Sequence, residues 1–402
     1  MSLTRNQAFY LQISIIASFL AGSSAPTPLY PIYQAAWGFS AIAVTLVFGI
    51  YAIAVLASLL FVGSLSDYTG RRPVLIVAAL GQVVAMLVFA TANGFAALVA
   101  ARVIQGLATG GAAGAVGAGL LDIDRAKGTV ANAIGPMLGT ASGSLVSGLM
   151  VQFLPAPTVL VYLVLAVVFV AQAIGVAAMP ETATPRPGAL ASLRPQFRLP
   201  PQAREAMLLA APALIAAWAL AGFYASLGPS LVRRLAGSTS IMLGGLALTV
   251  LAVAGAATAF LTLARSSRFV LGLGTSALIG GVAAMLLAVA TSSAAIFFAG
   301  TAIAGAGFGA AFQGAIRTVM PLAASHERAG VLSILYVISY LAMGVPAVLG
   351  GVRAVHGGGL LGTASEFGLA VMILAALALA GSLAQTRFRN ASVRSLNSST
   401  LS

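Results

Sequence analysis

Seven acids, two histidines and no cysteine are all the titratable chemistry, basic residues and tyrosines aside, that 402 residues offer. The acids are Asp67, Asp122, Asp124, Glu181, Glu205, Glu327 and Glu366, and none falls in the middle of an apolar stretch. Asp67, Arg71 and Arg72 stand together in G-S-L-S-D-Y-T-G-R-R-P-V-L, a charged turn running from Gly63 to Leu75 between two long apolar stretches. Carboxylate and guanidinium at that spacing can pair and hold a polar turn. Arg102 lies inside an apolar stretch, where a bilayer would charge at least ~2.5–3.5 kcal/mol for it. It either snorkels to an interface or faces inward for a purpose. His326 and His356 fall between apolar stretches and read as solvated side chains. There is no nucleophile–base set, no Walker loop and no metal-ligand spacing, so no enzyme, cofactor or metal is expected. The run G-A-G-F-G at 305–309 has no strand before it and reads as close helix packing rather than a nucleotide loop.

These residues must be positioned by elements that belong in lipid. Apolar residues make up 60% of the chain and charged ones 7%, with a mean hydropathy of +1.04, against roughly a quarter charged in soluble domains. Stretches of about 20 apolar residues, the length a bilayer core requires, recur near 9–31, 41–65, 74–92, 95–121, 130–152, 157–179, 206–228, 239–263, 269–290, 293–318, 330–351 and 365–386. Strand-like alternation is absent, so the expected fold is all-α, an integral membrane protein of twelve transmembrane helices. The first stretch lacks a small-residue cleavage site and reads as a retained helix.

The net charge of +13 does not point to nucleic acid, because the basic residues are scattered over short loops. Arg233, Arg234 and Arg353 lie on the side opposite the N-terminus and Arg102 within a stretch; the remaining Lys and Arg share the N-terminal side. The positive-inside rule places both termini in the cytoplasm. The proline- and arginine-rich segment 180–205 reads as a cytoplasmic linker joining a six-helix half at 1–179 to another at 206–386. A Ser/Asn-rich tail at 387–402 is expected to be disordered. Weak internal symmetry supports the division. Small residues crowd both the fourth and tenth stretches, G-P-M-L-G at 135–139 is echoed by G-V-P-A-V-L-G at 344–350, and A-R-S-S-R-F at 264–269 is a worn copy of the 63–75 turn. Two such halves around a midplane site are an architecture of secondary transporters.

The turn Gly63–Leu75 resembles the signature loop between the second and third helices of the major facilitator superfamily, G-x-L-x-D-x-x-G-R-R/K-x-x-L, matched at Gly63, Leu65, Asp67, Gly70, Arg71, Arg72 and Leu75. The resemblance implies a conformational latch: Asp67 facing the N-terminus of the eleventh helix, near Gly330, where the helix dipole favours a carboxylate, with Asp122 as partner of Arg71 or Arg72. The run A-R-V-I-Q-G-L-A-T-G-G-A-A resembles the superfamily's fourth-helix motif at Arg102, Gln105 and Gly106, which implies an inward-facing Arg102 in proton coupling or substrate response. Gly135, Pro136 and Gly139 resemble the end of the fifth-helix antiporter motif G-P-x-x-G-G, with Thr140 in place of the last Gly. Gly135, Gly139, Gly143 and Ser147 recur every four residues, so one face of that helix can approach a neighbour closely, and Pro136 permits a kink.

Polarity within the stretches nominates a substrate cavity: Ser24, Thr27 and Tyr30 beside the prolines of the first, Tyr51, Gln105, Trp218, Tyr224, Gln313, and Tyr336 and Tyr340, which share a helix face. The rival for each aromatic is an interfacial anchor. Protons have no acid in mid-span to bind. Coupling runs through Asp67 and Asp122, through Glu366, or does not occur. The same absence argues against a cationic substrate. The sequence is thus most similar to the twelve-helix drug:proton antiporters of the bacterial inner membrane, which implies a monomer exporting a small amphipathic neutral or anionic compound against proton entry by alternating access. Uptake or facilitated diffusion of an organic anion, sugar or other metabolite is the rival on the same fold, and a non-transporting membrane sensor the rival from another class.

Overall fold

The computed structural model describes residues 3–324 and 327–399, the side chains of 385–399 excepted. It is built from twelve helices long and apolar enough to cross a bilayer: α1 Arg5–Trp37, α2 Ala41–Val62, α3 Arg71–Ala90, α4 Phe95–Ile123, α5 Arg125–Phe153, α6 Pro157–Ala177, α7 Pro201–Ser226, α8 Met242–Leu261, α9 Ser267–Thr291, α10 Ala294–Leu322, α11 Arg328–His356 and α12 from Gly359. Among the described residues there is no strand. The helix starts are written locally. Ser40, Asp124, Ser266 and Ser293 cap α2, α5, α9 and α10 through side-chain oxygens that accept from backbone N–H groups, and Pro157 and Pro201 occupy first-turn positions where no N–H is needed.

α1 is not regular. With Pro26, Pro28 and Pro31 around it, Thr27–Leu29 is a 3₁₀ turn. The proposed linker is shorter than 180–205, because α7 starts at Pro201 with the good helix formers Gln202, Ala203, Arg204 and Glu205. The tail also differs from expectation. From Arg387 to Ser399 the backbone continues α12, since the segment has neither Pro nor Gly and extending a helix carries no nucleation cost; residues 400–402 of that tail lie outside the described residues.

The packed core falls into one cluster drawn from residues 8–179 and two drawn from 203–378, with a small cluster of Phe48, Ala52, Met343 and Ala347 joining α2 to α11. Large apolar side chains such as Val77, Phe153, Val167 and Leu208 point outward, as a lipid-facing surface requires. Lipid tails remove the hydrophobic drive between helices, so close approach through small residues carries the association. α5 meets α1 in this way: a Cβ on Gly139 would strike the carbonyl of Ala17, one on Gly143 that of Ala21, and Ser147 donates to the Ala25 carbonyl at 2.6 Å.

Candidate functional site

Between the two sets of helices lies a cavity of about 890 Å³, its mouth included. Ser23, Ser24 and Thr27 of α1, Tyr51 of α2, Pro136 and Thr140 of α5, and Trp218 of α7 line it, with Phe308, Phe312, Tyr340 and Met343 on the far wall. None of the seven acids and no basic residue is among its walls. The hydrogen bonds that cross from residues 1–179 to residues 206–386 close one end of it. Thr27 donates to the Ala225 carbonyl at 3.2 Å, Ser144 to the Gly245 carbonyl at 2.9 Å and Thr249 to the Ala141 carbonyl at 3.2 Å; Ser240 reaches Gln152 at 3.4 Å beyond them. All lie toward the end opposite the 63–75 turn. Gly49 against Val348 and Gly344 against Ala52 bring α2 and α11 together on the same side. The bundle is therefore joined at the far end, and its cavity sits on the turn's side of that seal.

Behind the α1–α2 wall stands Arg102, fully buried. Snorkelling is excluded: one terminal nitrogen donates to the Ser23 carbonyl at 2.9 Å and to Gln105 Oε1 at 2.7 Å, the other to Tyr30 Oη at 2.5 Å. Its guanidinium carbon lies 5.0 Å from the Tyr51 ring centre and 5.7 Å from that of Phe89, within cation–π range. No carboxylate pairs with it among the described ion pairs, and its Nε has no partner. A proline explains the acceptor that Gln105 finds. Pro26 has no N–H for the carbonyl four residues back, Gly22, and Gln105 Nε2 supplies the missing donor at 2.9 Å.

The charged turn forms a second centre. Arg71, though close to the surface, is almost wholly buried. It binds Asp67 through a short ion pair, Asp122 Oδ2 at 3.3 Å and Ser66 Oγ at 2.8 Å. The pairing of Arg71 with Asp122 is as the sequence predicts. The contact of Asp67 with the start of α11 is not made: Asp67 sits on Arg71, and Gly330 packs against the linker, where a Cβ would lie 2.8 Å from the Arg198 nitrogen. Sequence reasoning passed over Glu181. Its carboxylate accepts from the backbone N–H groups of Arg71 at 2.8 Å and Arg72 at 3.0 Å, and from those of Thr182 and Ala183. Burial pushes this carboxyl up, but the four N–H donors outweigh it and hold it below the usual carboxylate range. Gly70, with φ +98°, makes the turn, and a Cβ there would lie 2.6 Å from Glu181 Oε2. Gly63 closes α2 where α4 passes: a Cβ on Gly114 would strike its carbonyl. In the 264–269 turn, without an acid, Arg317 of α10 donates to the carbonyls of Thr262 and Leu263 at the end of α8.

The structure brings Ser24, Thr27, Tyr51, Trp218 and Tyr340 to the cavity and leaves other nominees elsewhere. Tyr30 and Gln105 serve Arg102. Tyr224 is buried beside α10, hydrogen-bonded to Thr301 at 2.9 Å, and Tyr336 and Gln313 are half-buried and outside the described walls. Glu366 is held by Arg353 through two bonds of 2.7 and 2.8 Å, both side chains about half exposed. Gly135 and Gly139 face α1, and Pro136 faces the cavity. His356 is exposed at the end of α11, and His326 lies outside the described residues. Phe308, Phe312, Met137 and Met343 were passed over, having no signal that separates a cavity wall from a lipid-facing residue.

Comparison with curated protein sequences gives no match. Among solved structures, the human organic anion transporter MFSD10 (TETRAN) is 17% identical and superposes with a TM-score of 0.66 over 94% of this chain and 100% of that one. The nucleoside transporter NupG, solved as a point mutant, is 12% identical, with a TM-score of 0.69 over 94% and 98% of the two chains. At such identities the likeness is one of fold. The profile of the Major Facilitator Superfamily matches residues 13–347, which takes in eleven of the twelve membrane helices in whole or in part, the turn at 63–75 and Arg102. The chain is a membrane transporter that belongs to the Major Facilitator Superfamily.

Proposed function

We propose that this transporter exports a small amphipathic compound, neutral or anionic, from the cytoplasm in exchange for protons, in the manner of the drug:proton antiporters. The observation that carries the reading is the cavity with no charged wall and an unpaired buried Arg102 behind it. A cation in that space would be repelled by the guanidinium, which lies 5.0 Å from the centre of the Tyr51 ring on the cavity wall. An anion or a neutral amphiphile would not. The distribution of Lys and Arg supports placing the 63–75 turn and both termini in the cytoplasm, and with them the mouth of the cavity.

On this reading the transporter cycles as a monomer in a bacterial inner membrane. Substrate enters from the cytoplasm; the turn centred on Arg71 then closes that side while the α1–α7, α5–α8 and α2–α11 contacts part at the other. Protons arrive from outside at Glu366, whose pairing with Arg353 is half exposed, and Arg102 takes part in the response to substrate. Passive passage of an organic anion or nucleoside-like metabolite is the second reading, favoured by the lack of any acid in the cavity. The test is accumulation of a mixed panel of dyes, antibiotics and metabolites in cells lacking their own exporters, with and without this protein and with and without an uncoupler. Lower accumulation that the uncoupler reverses is the expected result; higher accumulation moves the protein to uptake, and no change across the panel turns the work to the non-transporting sensor.

A further inference from the structure

Donors and acceptors are unequally shared around the cavity. The hydroxyls of Ser23, Ser24, Thr27 and Thr140 each donate to a main-chain carbonyl, those of Leu20, Thr140, Ala225 and Pro136 in turn. Their protons are spent, and what they offer a ligand is lone pairs. Trp218 is the reverse case. Its Nε1–H is buried with no acceptor, and an indole nitrogen can only donate. A buried donor left unmade is costly to the protein and is the natural place for a ligand's acceptor. Around the same side chain stand three rings: Phe312 edge-on at 5.3 Å between centres, Phe308 edge-on at 5.8 Å and Tyr340 tilted at 5.4 Å. All four residues line the cavity.

We propose that Trp218, Phe308, Phe312 and Tyr340 form the substrate-selecting subsite, and that it takes a planar aromatic compound bearing a carbonyl or similar acceptor, which receives the Trp218 Nε1–H. The inference rests on the transport reading and narrows it from any amphiphile to one chemical class. The four rings, edge-on or tilted to one another, supply apolar edges and faces for offset or edge-on stacking. A ring cluster of this kind elsewhere suits a quaternary ammonium. Here the donor on Trp218 and the positive charge of Arg102, which lies against the ring of Tyr51 on another wall, both act against a cation, and no carboxylate lines the cavity to offset them.

The test uses the full chain, purified in detergent, and three probes of one shape in calorimetric titrations: 1-indanone with a carbonyl, indane with none, and protonated 1-aminoindane as the cation. 1-Indanone should bind roughly five- to tenfold tighter than indane, the worth of one hydrogen bond to a buried donor, and the amine should bind more weakly than either. Trp218→Phe should erase the preference for the ketone while indane affinity stays within about twofold. Should that variant fail to fold, Trp37→Phe leaves Trp218 as the sole fluorophore of the two tryptophans; Trp37 is stacked on Tyr33 at the far end. Its emission should move to the red with 1-indanone and not with indane. Equal affinity for ketone and hydrocarbon, an unchanged preference in Trp218→Phe, tighter binding of the amine, or no spectral shift would each overturn the proposal. Failure of the transport reading is separable. Ketone-selective binding without export would leave the subsite standing and remove the export reading, and export without ketone preference would do the opposite.

Discussion

Glu181 Oε1 accepts the backbone N–H of Arg71 at 2.8 Å, so an acid just after α6 ties the linker to the first turn of α3. The same carboxylate takes the Arg72 N–H, and together they satisfy two of the donors that every helix start leaves over. Arg71 is thus gripped at both ends, its backbone by Glu181 and its guanidinium by Asp67, Asp122 and Ser66. The centre is ordered by two segments far apart in sequence.

Replacing Glu181 with Gln should lower the thermal midpoint by the equivalent of about 1 kcal/mol, the usual cost of a lost N-terminal cap. The pH dependence has a definite sign. Because the folded carboxyl is held below the ordinary value of 4.5, its contribution is fully present above that pH and is lost as pH falls through the lower folded value. The midpoint of the native protein should therefore fall on acidification below about 4.5, and Glu181→Gln should fall less steeply over the same range. Parallel slopes for the two proteins, followed by scanning fluorimetry, would remove Glu181 from this role.

Asp67→Asn tests the latch. Asp67 is 43% exposed in its side chain, and exposed ion pairs contribute about 0–1 kcal/mol, so folded yield and melting should change little. Arg71 would keep Asp122 and Ser66. The initial rate of transport should nonetheless fall several-fold if Asp67 is needed when the side carrying the 63–75 turn closes. A rate equal to the native one, measured at matched protein levels, would sink the latch.

Arg102→Lys and Arg102→Ala separate charge from geometry. A lysine keeps the charge but cannot reach the Ser23 carbonyl, Gln105 and Tyr30 together, so both variants should lose transport or its response to external pH. Uptake into vesicles at outer pH 6 and 8 is the measurement. Full activity in Arg102→Lys with an unchanged pH response would mean that charge alone suffices.

How much of this was legible before the structure follows from what lipid demands. The twelve helices are visible because each must be apolar over about 20 residues, and the 63–75 turn is visible because charges there stand against an apolar background. Arg102 is visible for the same reason. The cavity walls are not. Phe308, Phe312 and Met343 are apolar like the lipid-facing Val77 and Leu208, and with apolar residues all round a helix no face announces itself. Tyr224 and Tyr30 read as cavity residues and are instead bonded inside the packing, to Thr301 and Arg102. Glu181 was hidden by its setting, one acid at the head of a basic, proline-rich segment whose partner is over a hundred positions away.

The far-end seal offers the sharpest conformational test. Gly245 of α8 lies against α5 so closely that a Cβ would stand 2.6 Å from the Ser144 carbonyl and 3.3 Å from Pro28. A side chain there has main chain to displace, so Gly245→Val should hold the seal apart and favour the opposite conformation. Gly139 is equally crowded, but against the carbonyl of Ala17 in its own half; Gly139→Val should lower stability without shifting access. The native chain has no cysteine, so Thr140→Cys places a single thiol in the cavity wall. Right-side-out and inside-out vesicles treated with a membrane-impermeant maleimide then report which face reaches it. The thiol should react faster from the face carrying the 63–75 turn, and Gly245→Val should reverse that ratio. An unchanged ratio in a well-folded Gly245→Val protein would mean that the α5–α8 contact packs the bundle but does not gate it.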